Sequence, residues 1–176
     1  NSNYRLFLNQ IKIFKPKFVY LNDEESSKKL KKNKNIKTKI FIFNELISYL
    51  TNTKSDLSIL AISGYKSLIY LDAIIKNTKN LGIVNKEVIV SAGHLFRKKS
   101  YFKKTNIFPL DSEHFSLFEY FKNQNNNNNI RNITITASGG PFYKKQFKDL
   151  ENVSFKNAIK HPKWQMGYKN SIDSAT

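Results

Sequence analysis

Short apolar runs alternate with stretches of helical periodicity along residues 4–122, and this alternation constrains the chain more than any other feature. "KFVYL" (17–21), "KIFIF" (39–43), "LSILAI" (57–62), "LGIV" (81–84) and "NIFPL" (106–110) read as short strands. Before the first of them, Tyr4, Phe7, Leu8, Ile11 and Phe14 fall on one helical face. A polar helix follows Asp23, with Glu24 and Glu25 near its positive end. Further helices are predicted over 44–50, where Asn44 is placed to cap, over about 66–78, over 88–99 and over 112–122. This order predicts an α/β fold, a parallel sheet with helices on its faces. Ligands bind such sheets at the carboxyl ends of the strands. That singles out Ser63-Gly64, Asn85-Lys86-Glu87 and Asp111-Ser112-Glu113.

Composition closes off other classes. With 14 Phe and 9 Tyr in 176 residues the chain has enough apolar surface to bury a core. It contains no Cys, which excludes a disulfide framework and thiolate zinc sites. No run approaches the roughly 18 consecutive apolar residues of a membrane-spanning helix. The opening "NSNYRLFLNQ" does not show the pattern of a signal peptide. The formal net charge of +17 suits a nucleic-acid binder. Yet the lysines are spread along the chain and far outnumber Arg, whose planar fork reads bases and phosphates. The one dense run, "KKLKKNKNIKTK" (28–39), reads as a solvated helix end and loop.

The pattern changes after "FKNQNNNNNIRN" (121–132), a polar tract that cannot bury itself. "NITITA" (132–137) predicts a strand, "SGGPF" (138–142) a turn, 146–159 a helical stretch and "KHPKWQMGYK" (160–169) a loop. "NSIDSAT" (170–176) reads as strand-like. The chain opens inside a helical pattern and stops in this segment, so both ends read as cut.

Several of these segments carry chemistry, each with a plainer alternative. Asp111 and Glu113 are like charges one residue apart, which repel unless something positive lies between them. A hard divalent cation takes one or two carboxylates with waters and substrate oxygens. Equally, Asp111 suits a helix cap with Glu113 in the first turn. Gly139-Gly140 after an apolar strand offers backbone N–H groups to an anion, with Ser138 as a further donor, or is an ordinary turn. Lys86 either holds a substrate oxygen or a cofactor, or pairs Glu87 at the surface. His94 is a lone helical histidine and reads as structural. Trp164 and Met166, the only Trp and the only Met, sit in a loop with Pro162 and Gly167. They either pack on the domain or form a lid that excludes water.

Taken together, "VNKE", "PLDSEH", "SGGPF", "HPKWQMG" and "SIDSAT" resemble, in order and spacing, the 1-deoxy-D-xylulose-5-phosphate reductoisomerase family. "FKPKFVYLNDEES" and the opening "NSN" match less sharply. The resemblance covers essentially the whole chain but only a central part of the family's length. It implies a truncated Rossmann-like NADPH-binding domain over 1–110 and the start of an α+β catalytic domain over 111–176, with a flexible lid at about 159–169. It also implies rearrangement of 1-deoxy-D-xylulose 5-phosphate and its reduction by NADPH to 2-C-methyl-D-erythritol 4-phosphate, in the non-mevalonate isoprenoid pathway. Mg²⁺, Mn²⁺ or Co²⁺ is the expected metal, a sugar phosphate the partner and a homodimer the full-length state. No nucleic acid or membrane is expected as a partner, and a bacterial cytoplasm or a plastid is the expected compartment.

By resemblance, Asp111 and Glu113 are metal ligands and, with Lys86, the catalytic set. Ser112 and Lys86 touch the substrate's oxygen-bearing end. Ser138 and Ser174 bind its phosphate, His161 approaches it, and Trp164 and Met166 belong to the lid. Asn85 and Glu87 lie near the nicotinamide half of NADPH, and Ser2 and Asn3 near its 2′-phosphate. The family's glycine-rich dinucleotide turn is expected before residue 1, and its third metal carboxylate and an Asn-Lys pair past Thr176. Gly64-Tyr65-Lys66-Ser67 stands where the family usually has a second small-residue turn. The isolated piece is therefore expected to bind NADPH and metal poorly and to have no turnover. The alternative is a basic α/β nucleic-acid-binding module whose "SGGP" turn and lysines hold phosphates.

Overall fold

The structure, a computed structural model, describes residues 3–98, 104–122, 130–136, 139–165 and 167–175. Helices and parallel strands alternate in the first of two units, residues 1–125, as the sequence pattern requires. Asn3 Oδ1 accepts the Leu6 N–H at 3.0 Å and starts α1 (Tyr4–Phe14). β1 (Phe18–Tyr20) and β2 (Lys39–Phe41) pair in parallel. Between them runs α2 (Glu24–Lys32), capped by Asp23 Oδ2 on the Ser26 N–H at 2.8 Å. Then follow α3 (Phe43–Asn52), β3 (Ser55–Leu60), a 3₁₀ turn (Tyr65–Ser67), α4 (Leu68–Ile75), β4 (Thr78–Ile83), α5 (Lys86–Phe96), β5 (Asn106–Pro109) and α6 (Ser112–Lys122). The strands β3, β4 and β5 form a second parallel sheet in that order.

The core lies under one face of this sheet. Leu60, Leu81 and Ile83 meet Leu71, Ile74 and Ile75 of α4 and Val88 and Ala92 of α5. Leu81, Ile83 and Val88 are completely buried. Each such side chain contributes roughly 1.5–3 kcal/mol. Register then decides what emerges at the edge. Leu60 pairs with Ile83, and Ile83 with Pro109, so the three strands end level. The ladder runs one step further, from Val84 N–H to Leu60 O (3.0 Å) and from Leu110 N–H to Ile83 O (2.7 Å). The residues that follow each strand therefore leave the sheet side by side.

Some local expectations give way. Asn44 does not cap α3, which begins one residue earlier behind Ile42. The Ile42 N–H is instead satisfied by Glu45 Oε2 at 2.9 Å, an acid three residues in answering the terminal donor. The helix expected to reach residue 78 stops at Ile75, because Thr78 opens β4. Thr105 Oγ1 lies 2.9 Å from Ile75 O and 2.7 Å from Thr78 O and fixes that corner. α5 starts at Lys86 rather than at 88.

The second unit, residues 126–176, is built of short pieces. "NITITA" forms no strand over its described residues 132–136, and Ile133 and Ile135 stay exposed. Alternating apolar residues need an edge to pair with, and no ladder reaches them among the described residues. The helical stretch expected over 146–159 splits into a 3₁₀ turn (Phe147–Leu150) and α7 (Phe155–Ala158). Ser154 Oγ accepts the Asn157 N–H at 3.3 Å, so this serine starts a new helix instead of continuing one. "NSIDSAT" is not strand-like: its first residues complete α8 (Tyr168–Asp173), where Lys169 and Asp173 pair at 2.7 Å across one turn. The division after residue 125 keeps α6 with β5, Phe118 meeting Phe108 edge to face at 6.1 Å. The domain boundary read from the sequence fell between residues 110 and 111. No helix among the described residues is long and apolar enough to cross a membrane.

Candidate active site

The level strand ends bring three charged side chains together. Lys86 opens α5 just past β4, and Asp111 and Glu113 lie just past β5. Lys86 Nζ is 3.8 Å from Asp111 Oδ2 and 3.6 Å from Glu113 Oε1. This lysine is the positive group that the crowded carboxylates require. The Asp111 side chain is only 12% exposed, so protein groups surround most of it.

Asp111 divides its two oxygens. Oδ1 accepts the His114 N–H at 3.3 Å and lies 3.4 Å from His114 Nδ1, while its carbonyl accepts the Phe115 N–H at 2.8 Å. That is a helix cap on α6. Oδ2 faces Lys86. Both readings of this residue therefore hold at once, one on each oxygen. Glu113 is fixed by a different partner: Ser112 Oγ donates to its Oε2 at 2.9 Å. That bond, then the residue's own backbone N–H, and beyond them the Lys86 charge outweigh desolvation and hold its carboxyl down to about 2.

Two carboxylate oxygens that converge on one cation, one on a nearly buried aspartate and one on a glutamate kept ionised, fit a hard divalent metal. Among the described residues no group of three or more His, Cys, Asp or Glu converges, so the set here is these two acids. Mg²⁺ characteristically takes one or two carboxylates and leaves its other positions to water and substrate.

The cofactor candidates are placed differently. The Asn85 amide nitrogen lies 2.6 Å from Ile62 O, 3.1 Å from Gly64 O and 3.0 Å from Ser67 Oγ. Ser67, completely buried, itself donates to Gly64 O at 2.8 Å. Asn85 thus ties the loop after β3 to the start of α5. Gly64 sits at φ 76°, where other residues are strained, and the space beside it is open. Glu87 is the second residue of α5. Asn3 spends its side chain on the α1 cap, and Ser2 lies outside the described residues.

In the second unit the two segments assigned to phosphate by resemblance are neighbours. A Cβ at Gly140 would overlap the Ser174 carbonyl oxygen and the Ala175 backbone, so only glycine lets the chains approach. Phe142 N–H donates to Ala175 O at 2.8 Å and locks the contact. Ser174 Oγ donates to Asn170 O at 2.6 Å, and Ser138 lies outside the described residues. His161 Nδ1 accepts from the N–H groups of Lys163 (3.2 Å) and Trp164 (3.0 Å). Trp164 is 60% exposed, and Met166 lies outside the described residues. Sequence reasoning missed the Asn85–Ser67 tie and the place of His114 beside Asp111. The spacing Asp111-x-x-His114 was the available signal for the second, a cap and the first donor it meets.

Comparison with known proteins also divides the chain in two, but between residues 93 and 107 and not after residue 125. A family model described as 1-deoxy-D-xylulose 5-phosphate reductoisomerase matches residues 1–93, and one described as its C-terminal domain matches 107–176. The 1-deoxy-D-xylulose 5-phosphate reductoisomerase of Caldanaerobacter subterraneus subsp. tengcongensis is 39% identical over 175 residues, 99% of this chain and 46% of the relative. That of Pelagibacter ubique is 43% identical over 183 aligned positions, 100% of this chain and 46% of the relative. The chain therefore spans about half the length of these relatives. Among solved structures, the Zymomonas mobilis enzyme in complex with NADPH superposes with a TM-score of 0.80 at 29% identity, covering 99% of this chain and 45% of that one. A reductoisomerase in complex with NADPH, fosmidomycin and magnesium gives a TM-score of 0.76, also at 29% identity, with 99% and 46% covered.

Proposed function

Because the chain belongs to the 1-deoxy-D-xylulose 5-phosphate reductoisomerase family, we propose that the full-length protein rearranges 1-deoxy-D-xylulose 5-phosphate and reduces the product with NADPH to 2-C-methyl-D-erythritol 4-phosphate. The observation that carries this reading is the convergence of Asp111 Oδ2 and Glu113 Oε1 on Lys86 Nζ at 3.8 and 3.6 Å. A divalent cation held by those two acids would polarise the substrate's carbonyl and hydroxyl oxygens. NADPH would supply the hydride.

The chain's own residues prepare the rest. Ser112 keeps the Glu113 carboxylate turned and ionised. Asp111 is held in direction by its own cap on α6, so the Oδ2 that faces Lys86 is aimed before a ligand arrives. Lys86 stays beside the reacting oxygens and offsets negative charge that builds on them. Asn85 keeps the two loops at the sheet edge in register, which fixes the start of α5 and hence Lys86. The Gly139-Gly140 turn and Ser174 receive the phosphate. Trp164 covers the carbon chain and keeps water from the aldehyde before its reduction.

The relatives solved with NADPH and magnesium support the same two cofactors here. A homodimer, and a bacterial cytoplasm or plastid as its place of work, belong to the same proposal. The nucleic-acid alternative draws no support. Its one dense lysine run begins on α2, where Lys28 and Lys29 pair with Glu24 and Glu25 at 3.6 and 3.9 Å.

The test is substrate-dependent NADPH oxidation by the full-length protein and its Asp111→Ala, Glu113→Ala double variant. Turnover is expected to fall by roughly three orders of magnitude, with NADPH affinity retained. A double variant as fast as the parent would end this reading.

A further inference from the structure

We propose that the cleft at the amino ends of β1 and β2 is a second binding site of this chain, one that takes a compound with two or more adjacent phosphate groups. It does not depend on the reductoisomerase reading. The cleft has a volume of about 430 Å³, within the range of small-molecule sites. Lys12, Lys15, Lys17 and Lys37 line it, all four exposed, and Ile11, Pro16 and Ile36 give it an apolar part. Its place follows from strand pairing. Phe18 stands opposite Lys39, and the Lys39 N–H donates to Lys17 O at 3.1 Å, so the segments before the two strands lie together. Lys86, Asp111 and Glu113 follow the carboxyl ends of β4 and β5, and none of them lines the cleft.

Four like charges around one cleft repel one another. Among the described residues no Asp or Glu lines the cleft, and none of the four lysines is in an ion pair. Two of them have a plainer use, since Lys12 and Lys15 stand at the negative end of α1. Lys17 and Lys37 lie outside any helix, and no helix end accounts for them. Lys15 is also placed at a cost. Its φ of 45° is the one positive φ of a described non-glycine residue, and the residue before a proline favours extended backbone instead. Glycine or asparagine is usual where a helix ends this way. A ligand met by several cations at once accounts for all four lysines. An ammonium donates to phosphate oxygens as a point charge, without a fixed geometry. Adjacent phosphates bring enough charge to offset several lysines within this volume, and a single phosphate does not. A nucleic-acid duplex needs a basic stripe along a face. Of the dense run over 28–39, Lys37 is the member that lines the cleft, while Lys28 and Lys29 are paired with Glu24 and Glu25.

Titration calorimetry on the full-length protein tests this, in metal-free buffer with NADPH present, using inorganic tripolyphosphate and adenosine triphosphate as separate probes. The Lys17→Gln, Lys37→Gln variant is expected to bind both roughly tenfold more weakly than the parent. The parent's own affinity is expected to fall by a similar factor between about 20 and 200 mM salt. The Lys148→Gln, Lys156→Gln variant loses the same charge in the second unit and is expected to stay within about twofold of the parent. Both variants are expected to unfold thermally at or slightly above the parent's midpoint without a probe, because like-charge repulsion is relieved. In the parent, tripolyphosphate is expected to slow acetylation of Lys12, Lys15, Lys17 and Lys37 and to leave Lys148 and Lys156 unchanged. Tighter binding of adenosine triphosphate assigns the cleft to an organic phosphate, and tighter binding of tripolyphosphate to an inorganic one; both bear the proposal out. A parent that binds neither probe, equal losses in the two variants, or acetylation slowed alike at all six lysines overturns it. Displacement of tripolyphosphate by a mixed-sequence oligonucleotide whose own binding is lost in the Lys17→Gln, Lys37→Gln variant hands the lysines to nucleic acid and overturns it too.

Discussion

The acidic cluster at Lys86 and the phosphate segments at Gly140 and Ser174 belong to one proposed activity but are held by different physics. Lys86, Asp111 and Glu113 stand on strand ends made level by ladder register and backed by fully buried Leu81, Ile83 and Val88. Gly140 and Ser174 stand on a turn and on the end of a six-residue helix, joined by close backbone approach and the Phe142–Ala175 hydrogen bond. In the first region position is inherited from a sheet. In the second it depends on a few local contacts, so a substitution there acts on geometry and binding together. A metal site needs the former, because two carboxylates must converge before the cation arrives. A phosphate, which has several equivalent oxygens, tolerates the latter.

This contrast is broken most directly by paired loss of function in the full-length protein. Lys86→Met removes the cation between Asp111 and Glu113 and is expected to lower kcat about 100-fold or more, with little change in the KM for substrate. Ser174→Ala removes one hydroxyl and is expected to raise KM about tenfold at most, with kcat nearly kept. Steady-state kinetics checks both. A kcat effect at Ser174 as large as that at Lys86 would show that the two regions are not separable in this way.

Stability sharpens the same comparison. Leu81→Ala opens a cavity in the sheet core and is expected to cost about 2–5 kcal/mol. Phe155→Ala removes a ring that is 56% exposed and touches Tyr168 edge to face at 5.6 Å, and is expected to cost no more than about 1 kcal/mol. Gly140→Ala falls between them: its new methyl meets backbone, which cannot rotate away, and about 1–3 kcal/mol is expected. Denaturant midpoints, read by probes placed in each unit, check the order.

What was legible in the sequence follows the same divide. The alternation of strands and helices up to Lys122 predicted the order of elements in the first unit, because each short strand is bounded by stretches of helical periodicity. Asp111 and Glu113 stood out because two acids so close need a partner, and the partner proved to be the lysine already singled out after β4. "NITITA" and "NSIDSAT" misled because alternation alone says nothing about whether an edge is available to pair with. The Asn85–Ser67 tie was invisible because its partners are 18 to 23 residues away in sequence. Ser2, Ser138 and Met166 lie outside the described residues, so their assigned roles stand on resemblance.

Helix starts give a smaller effect. Asn44 was expected to cap α3, and Glu45 does that work through the Ile42 N–H. Glu45→Ala is therefore expected to cost about 0.5–1 kcal/mol and Asn44→Ala a few tenths at most. Equal losses in thermal or denaturant unfolding would return the cap to Asn44.

The smallest expected effect tests whether the acidic cluster is preset before any cation binds. The Glu113 carboxyl lies at about 2, below the roughly 4.3 of a free glutamate. Its ionised form is thus favoured by the fold, so its contribution to stability is present above about pH 4.3 and is lost as pH falls through about 2. The side chain is 44% exposed, so solvent screening keeps that contribution small, and titration is the better readout. The Ser112 hydroxyl is the largest cause of the depression, ahead of the Lys86 charge. In metal-free protein followed by carboxyl NMR, Ser112→Ala is expected to raise the Glu113 midpoint more than Lys86→Met does. The reverse order would mean that the lysine, and by extension the metal, organises the acids, and that the sheet edge alone does not preset them.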